Sequence, residues 1–299
     1  MTARLPGDPI AGCEAPPADV ADAVARALAE DLDERGDVSA ALLPADAFVT
    51  AAIVPRAHGV LAGAACATET YRLLDDAVVV TWHAADGDRI APGQVVAEVS
   101  GPLRSVLTGE RTALNFLCHL SGIATLTRAF VDAAAGGARV VETRKTLPGL
   151  RRLEKAAVRA GGGANHRFTL SELVLVKDNH LAGTTIAAVV AAARERWPGV
   201  GVEVECDRPE QVDDAVAAGA DVVMLDNMSP ADAAACVTRA RAVAPGVRIE
   251  ISGGVTLATV AEYARTGADL ISTSAITQSA PALDLGLDVA PGAVRTVGG

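Results

Sequence analysis

The sequence predicts an α/β protein in two parts, the larger being an incomplete, about six-stranded α/β barrel. Two observations carry that expectation. From residue 139 onward one unit repeats: a short β-branched run, a polar or charged end, then an Ala-rich helical stretch. Alternating β and α elements of this kind imply parallel strands joined by right-handed crossovers. Before residue 106 the texture is different, with short β-like runs broken by Gly and Pro turns. Six βα units fall short of the eight in a complete barrel, and a closed or incomplete barrel is favoured over an open doubly wound sheet.

Taken in order, residues 1–48 read as helical and acidic. The stretch 19–32 has helix-spaced apolar positions after Ala15-Pro16-Pro17, and Gly36 lies beyond as a stop signal. Strand-like runs follow at 49–54, 77–82 and 95–99. The Gly- and Pro-rich segment 86–94 between the last two reads as a structural β turn, and His58 and His83 nearby as surface or core residues. Residues 108–135, containing Glu110-Arg111-Thr112, form a long helix or helix pair. The later strands are expected at 139–143, 173–176, 202–206, 222–225, 248–251 and 270–273, with helices at 186–196, 209–218, 230–243 and 257–266.

Half of the 299 residues are hydrophobic, enough to bury a sizeable core, while aromatics make up only 3%. Single-strand nucleic-acid binders need stacking platforms that this composition lacks. No uninterrupted apolar run approaches the ~20 residues that span a bilayer, and the N-terminus has no signal-like apolar region. The five cysteines are scattered without a CxxC pair, which reads as reduced thiols in a cytoplasmic protein, and no membrane or nucleic-acid partner is expected.

Charge is distributed unevenly. Between Arg144 and His180 eight basic residues face three acids, a local charge of +5 in a chain whose total is −11. A cationic island in an acidic protein suits a small, highly charged anion, since a duplex binder spreads positive charge over a whole face. Gly161-Gly162-Gly163 inside the island would let backbone approach a ligand. Arg151, Arg152, Lys155 and Arg159 fall at helical spacing and read for the most part as a solvated face. His180 reads as a general base or as a hydrogen-bonded structural residue.

In either architecture the chemistry belongs at the carboxyl ends of the strands. These ends read Thr143-Arg144-Lys145, Lys177-Asp178-Asn179, Glu203/Glu205/Asp207, Asp226-Asn227, Ser252-Gly253-Gly254 and Thr273-Ser274. Arg144 and Arg167 offer planar forks that match carboxylates. Lys145 and Lys177 are point charges suited to phosphate or a second carboxylate. Glu203, Glu205 and Asp207 share one face by strand periodicity. Asp207 with Asp226 could hold Mg²⁺ or ribose hydroxyls. Ser252-Gly253-Gly254 has the form of an N–H nest for phosphate ahead of a helix.

These motifs resemble a known family. ERTALN…LSGIAT (110–125), TRKT-x-PGLR (143–151), GGGANHR (161–167), LVKDNH (175–180), VEVECD (202–207), MLDN (224–227), EISGG (250–254) and APALDLGLDV (280–289) are similar to quinolinate phosphoribosyltransferase. The resemblance runs in order from about residue 15 to 290. It implies an N-terminal α/β sandwich domain over 1–120, joined by 280–299, and a barrel domain over 121–279. It further implies transfer of a phosphoribosyl group from phosphoribosyl pyrophosphate (PRPP) to quinolinate with Mg²⁺, in a homodimer with shared sites. Arg144, Arg167 and Lys177 would clamp the two pyridine carboxylates, with Thr143 beside them and His166 lining the ring pocket. Arg111 would reach in from the partner subunit. Lys145, Glu205 and Asp226 would serve catalysis on the diphosphate, metal and ribose side, the two acids as metal ligands. Ser252, Gly253, Gly254, Thr273, Ser274 and Ala275 would take the 5′-phosphate.

The chain departs from the family at TSAITQS (273–279), where Ser274 stands for a glycine and Gln278 for a histidine; Glu142 and Leu147 also replace commoner choices. Three rival readings follow from the same residues: a Schiff-base lyase using Lys145 or Lys177, a relative with another acceptor, and a binding protein without turnover.

Overall fold

A computed structural model describes residues 4–296. The chain passes in order through α1 (Pro17–Leu32), β1 (Ala47–Pro55), β2 (Gly59–Val60), α2 (Ala64–Leu74), β3 (Val79–Trp82), β4 (Arg89–Ile90), β5 (Ala97–Pro102) and α3 (Leu103–Ala134). It continues with β6 (Arg139–Val141), α4 (Arg151–Ala160), β7 (Leu173–Val176), α5 (Ile186–Arg196), β8 (Gly201–Cys206) and α6 (Pro209–Ala217). Then come β9 (Val222–Asp226), α7 (Pro230–Val243), β10 (Arg248–Ser252), α8 (Val260–Ala264), β11 (Leu270–Ser272) and α9 (Ala275–Gln278). Two strands, β12 (Leu285–Val289) and β13 (Arg295–Thr296), end the described chain.

One compact unit comprises residues 12–126, 147–162 and 280–299. Its antiparallel sheet has the order β12-β1-β5-β3, with β13 also on β1. Burial alternates along β1 and β5, so Val49, Ala51, Ile53, Ala97 and Val99 face a core shared with Tyr71 of α2 and Leu114 and Leu117 of α3. Asp86, in the turn expected at 86–94, accepts the backbone N–H groups of Gly63 (3.0 Å) and Ala64 (3.1 Å) and so caps α2. By length and composition α3 is apolar enough to cross a membrane, with a mean hydropathy of 1.2 over its most apolar stretch. Yet 56% of that stretch is buried, which marks a core helix.

The other unit comprises residues 1–11, 127–146 and 163–279. Its six strands are all parallel, in the order β6-β11-β10-β9-β8-β7. β6 and β7 end this path, so strand pairing leaves the barrel incomplete, as the six counted units imply. The helices start on sequence signals: Thr185 and Ser229 accept N–H groups three residues on (both 3.2 Å), and α6 and α7 carry Pro at their first turn. The helix expected over 257–266 is confined to α8.

The compact units differ from a division at residue 120 chiefly in two segments, 4–11 and 147–162, which change sides. α4 follows β6 in sequence, but its Leu153, Ala156 and Ala157 line a narrow crevice with Val20 and Cys66 of the sandwich unit. Residues at the N-terminus belong instead to the barrel unit, where Arg139 donates to the Gly7 carbonyl (2.6 Å) and Arg248 to Asp8 (2.9 Å). The cationic island is accordingly split between the units. On α4 the expected solvated face is only partial: Glu154 and Lys155 are fully buried. Arg159 bonds the carbonyls of Gly12 and Glu14. All five cysteines are free, and burial pushes the Cys66 and Cys206 thiols up to about 12.

Candidate active site

At the carboxyl end of the parallel sheet a cavity of about 800 Å³ opens. It is lined by Thr143, Arg144 and Lys145 after β6, His166 and Arg167, Lys177 after β7, Glu205 of β8 and Asp226 of β9. Ser252, Gly253 and Gly254 after β10 and Thr273, Ser274 and Ala275 after β11 complete the wall. Of the residues that the family resemblance places at the site, all line this cavity except Arg111, which lies exposed on α3 outside the lining.

The strand ends are pinned to one another. Asn227 and Gly253 both take positive φ (56° and 87°), and Asn227 N–H bonds the Ser252 carbonyl at 3.0 Å. A Cβ on Gly253 would lie 2.8 Å from the Asn227 nitrogen, so only glycine fits there. Thr277 of α9 donates to the Lys145 carbonyl (2.8 Å), and Thr273 to that of Val255 (3.2 Å). Ser274 sits at φ −79°, an ordinary right-handed value, so a serine costs the backbone nothing. Gln278 is exposed and does not line the cavity.

Charge within the cavity is polarised. Arg144 and Arg167 lie close enough to influence each other: burial first, then the Arg144 cation, lowers the Arg167 guanidinium, which still stays charged. Arg167 also donates Nη1 to the Leu173 carbonyl (2.9 Å). Two adjacent cations in a half-buried wall make a receptor for a dianion. Further round, Lys177 and Glu205 form an ion pair. Burial, and then the Glu205 carboxylate, push Asp226 up from its ordinary value, with Lys177 pulling it back. Glu205 and Asp226 are the carboxylates of this wall that could hold a hard divalent cation.

Three residues expected on one face of β8 occupy three depths. Glu203 is fully buried, Glu205 lies at the cavity wall, and Asp207 is exposed beyond the strand and does not line the cavity. The reading of Asp207 as an Mg²⁺ or ribose ligand therefore passes to Glu205. Likewise Gly161-Gly162-Gly163 do not line the cavity; they end α4 and lead into the next segment. His180 accepts the Lys177 N–H through Nδ1 (2.9 Å) and is exposed, a structural histidine.

At the cavity wall lies a cluster that motif reading missed, with His166 and Glu250 in the lining and Glu203 behind them. His166 Nε2 stands 3.2 Å from Glu203 and 3.4 Å from Glu250, all three buried and near enough together to suit a metal ion. The other imidazole nitrogen decides against that use. Nδ1 accepts the Arg167 N–H (2.7 Å), so a neutral ring carries its proton on Nε2, facing the glutamates rather than a metal. Burial alone would lower His166, but Glu250 and Glu203 outweigh it and push it up to about 10. Burial, then Glu250, also pushes Glu203 up. With Nδ1 occupied, the retained proton belongs to the cluster as a whole. The available signal was an acid at an interior-facing position of each of the two strands that flank β9, Glu203 on β8 and Glu250 on β10.

A parallel α/β barrel whose strand ends gather paired arginines, lysines, acids and a glycine nest is the class of phosphate- and carboxylate-binding transferase barrels. The quinolinate phosphoribosyl transferase C-terminal domain matches residues 123–288, and the N-terminal domain of the same family matches 37–121. Nicotinate-nucleotide pyrophosphorylase (carboxylating) of Mycobacterium leprae is 42% identical over 275 residues, covering 90% of this chain and 96% of the relative. The Homo sapiens protein of that name is 41% identical over 242 residues, 79% of this chain and 81% of its own. Among solved structures, the nicotinate-nucleotide pyrophosphorylase of Francisella tularensis superposes with a TM-score of 0.88 at 36% identity. That match covers 97% of this chain and all of the other, 100%. The chain belongs to the quinolinate phosphoribosyltransferase family.

Proposed function

We propose that the protein transfers the phosphoribosyl group of PRPP to quinolinate with loss of CO₂. The products are nicotinate mononucleotide and pyrophosphate, a step of NAD biosynthesis. The carrying observation is that Arg144, Arg167, Lys145 and Lys177 line the same cavity as Glu205 and Asp226. Arg144 and Arg167, with Lys177, receive the two ring carboxylates; Glu205 and Asp226 face the sugar; Ser252, Gly253, Gly254, Thr273, Ser274 and Ala275 take its 5′-phosphate.

The pyridine nitrogen forms a bond to the anomeric carbon as the C–O bond to diphosphate breaks and its electron pair leaves with the diphosphate. Positive charge develops on the ribose, where the Glu205 and Asp226 carboxylates stabilise it, while Lys145 meets the departing diphosphate. The C–CO₂ bond next to the quaternised nitrogen then breaks, its electron pair stays on the ring carbon stabilised by the adjacent positive charge, and that carbon takes a proton from water, so decarboxylation asks little of the protein. Glu205 and Asp226 would hold Mg²⁺, which supplies charge neutralisation for the diphosphate.

A homodimer with Arg111 completing the partner's site is consistent with that residue's exposure on α3. Mixing Arg111→Ala with Lys145→Ala chains should regenerate active sites after subunit exchange; exchange without recovery rejects a shared site. The free thiols support a cytoplasmic location. A Schiff-base role for Lys177 is disfavoured by its ion pair with Glu205. Incubation with quinolinate, PRPP and Mg²⁺ should yield nicotinate mononucleotide and CO₂, with nicotinate a poor acceptor. Absence of the mononucleotide rejects the assignment.

A further inference from the structure

Glu142, just past β6, is fully buried and does not line the cavity. A buried carboxylate is costly unless hydrogen-bonded. Each of its oxygens accepts a bond from one short segment: Oε2 from Asn165 Nδ2–H at 2.8 Å, and Oε1 from the His166 backbone N–H at 3.1 Å. That segment lies parallel to β6, held by the Val141–Ala164 bridge and by Ala164 N–H on the Val140 carbonyl (2.9 Å). The effect passes to the next two side chains. His166 turns inward to Glu203 and Glu250, and its Nδ1 anchors the Arg167 N–H, while Arg167 faces the cavity.

We propose that Glu142 is a positioning residue for the dicarboxylate half of the site, fixing the backbone of 165–167 and so the aim of the Arg167 fork. Bidentate recognition tolerates little angular error, which makes the backbone behind the fork part of specificity. This inference rests on the quinolinate reading above. The acidic and phosphate-binding strand ends, β8 to β11, carry none of these bonds, so binding of the ribosyl donor should be spared.

Glu142→Met removes both acceptors at nearly constant volume, whereas Glu142→Gln keeps one oxygen and allows the Asn165 amide to turn over. Steady-state kinetics should give Glu142→Met a quinolinate KM at least tenfold above wild type, with the PRPP KM within twofold. Glu142→Gln should return the quinolinate KM to within threefold of wild type. A Glu142→Met enzyme with unchanged quinolinate KM, or with both KM values raised alike, overturns the proposal. Should Glu142→Met fail to fold, Asn165→Ala removes the Oε2 bond and leaves the His166 N–H on Oε1. It should raise the quinolinate KM threefold to tenfold with the donor KM unchanged; no change overturns the proposal. Wild-type protein inactive on quinolinate defeats the functional reading instead, so the two failures are separable.

Discussion

Replacing Arg167 by Met tests the carboxylate clamp where its geometry is best defined. The guanidinium commits one N–H to the Leu173 carbonyl, leaving its other donors for a ligand. Charge-assisted hydrogen bonds contribute about 1.5–3 kcal/mol each, and truncating one partner of a desolvated charge pair costs about 2–5 kcal/mol. Arg167 is only half-buried, which favours the lower part of that range. A loss of about 2–4 kcal/mol corresponds to roughly 30- to 900-fold in kcat/KM for quinolinate. The variant keeps its aliphatic packing, so thermal unfolding should change little. Nicotinate, with a single carboxylate, should lose less, and the preference between the two acceptors should narrow. The assay is initial-rate formation of mononucleotide from each acceptor at saturating PRPP and Mg²⁺. A quinolinate kcat/KM within twofold of wild type would refute the clamp.

Other outcomes follow from the same geometry. Gly253→Ala places a Cβ against the Asn227 nitrogen in a left-handed conformation; it should cost about 1–3 kcal/mol of stability, read as a lowered Tm, and raise the PRPP KM. Because Glu250 and Glu203 push His166 up to about 10 from 6.5, the proton shared by this buried cluster contributes stability that is fully present below pH 6.5 and lost as pH rises through 10. Denaturant midpoints should therefore fall on the alkaline side, and less steeply in His166→Gln. Chelation should abolish turnover and Mg²⁺ restore it, with Glu205→Gln needing far more metal; unchanged activity in chelator argues against a metal at Glu205 and Asp226. Iodoacetamide at pH 8 should leave Cys66 and Cys206 unmodified in the native protein, as thiols pushed up to about 12 require.

Much of the site was legible because parallel strands deliver their last residues to one end, so each strand end could be read as a wall of one cavity. Lys177, Glu205, Asp226 and Ser252-Gly253-Gly254 follow from that rule alone. Depth was not legible: periodicity puts Glu203, Glu205 and Asp207 on one face but does not say how far each lies from the mouth. The sequence also gave no sign that α4 packs with the sandwich unit, because Glu154 and Lys155 look like surface charges until their burial is seen. Glu142 stood out only as a departure from the family, and its role was hidden because its partners Asn165 and His166 are far away in sequence. Gln278 drew attention as a departure, yet it points to solvent.

The central claim is that one cavity takes a dianionic ring on its arginine side and a sugar phosphate on its acidic side. A crystal structure with bound quinolinate tests it most directly. Both carboxylates should lie within about 3 Å of nitrogen atoms of Arg144, Arg167 or Lys177, with the ring nitrogen turned toward Glu205 and Asp226. A ring bound elsewhere, or one with its carboxylates away from both arginines, would contradict it.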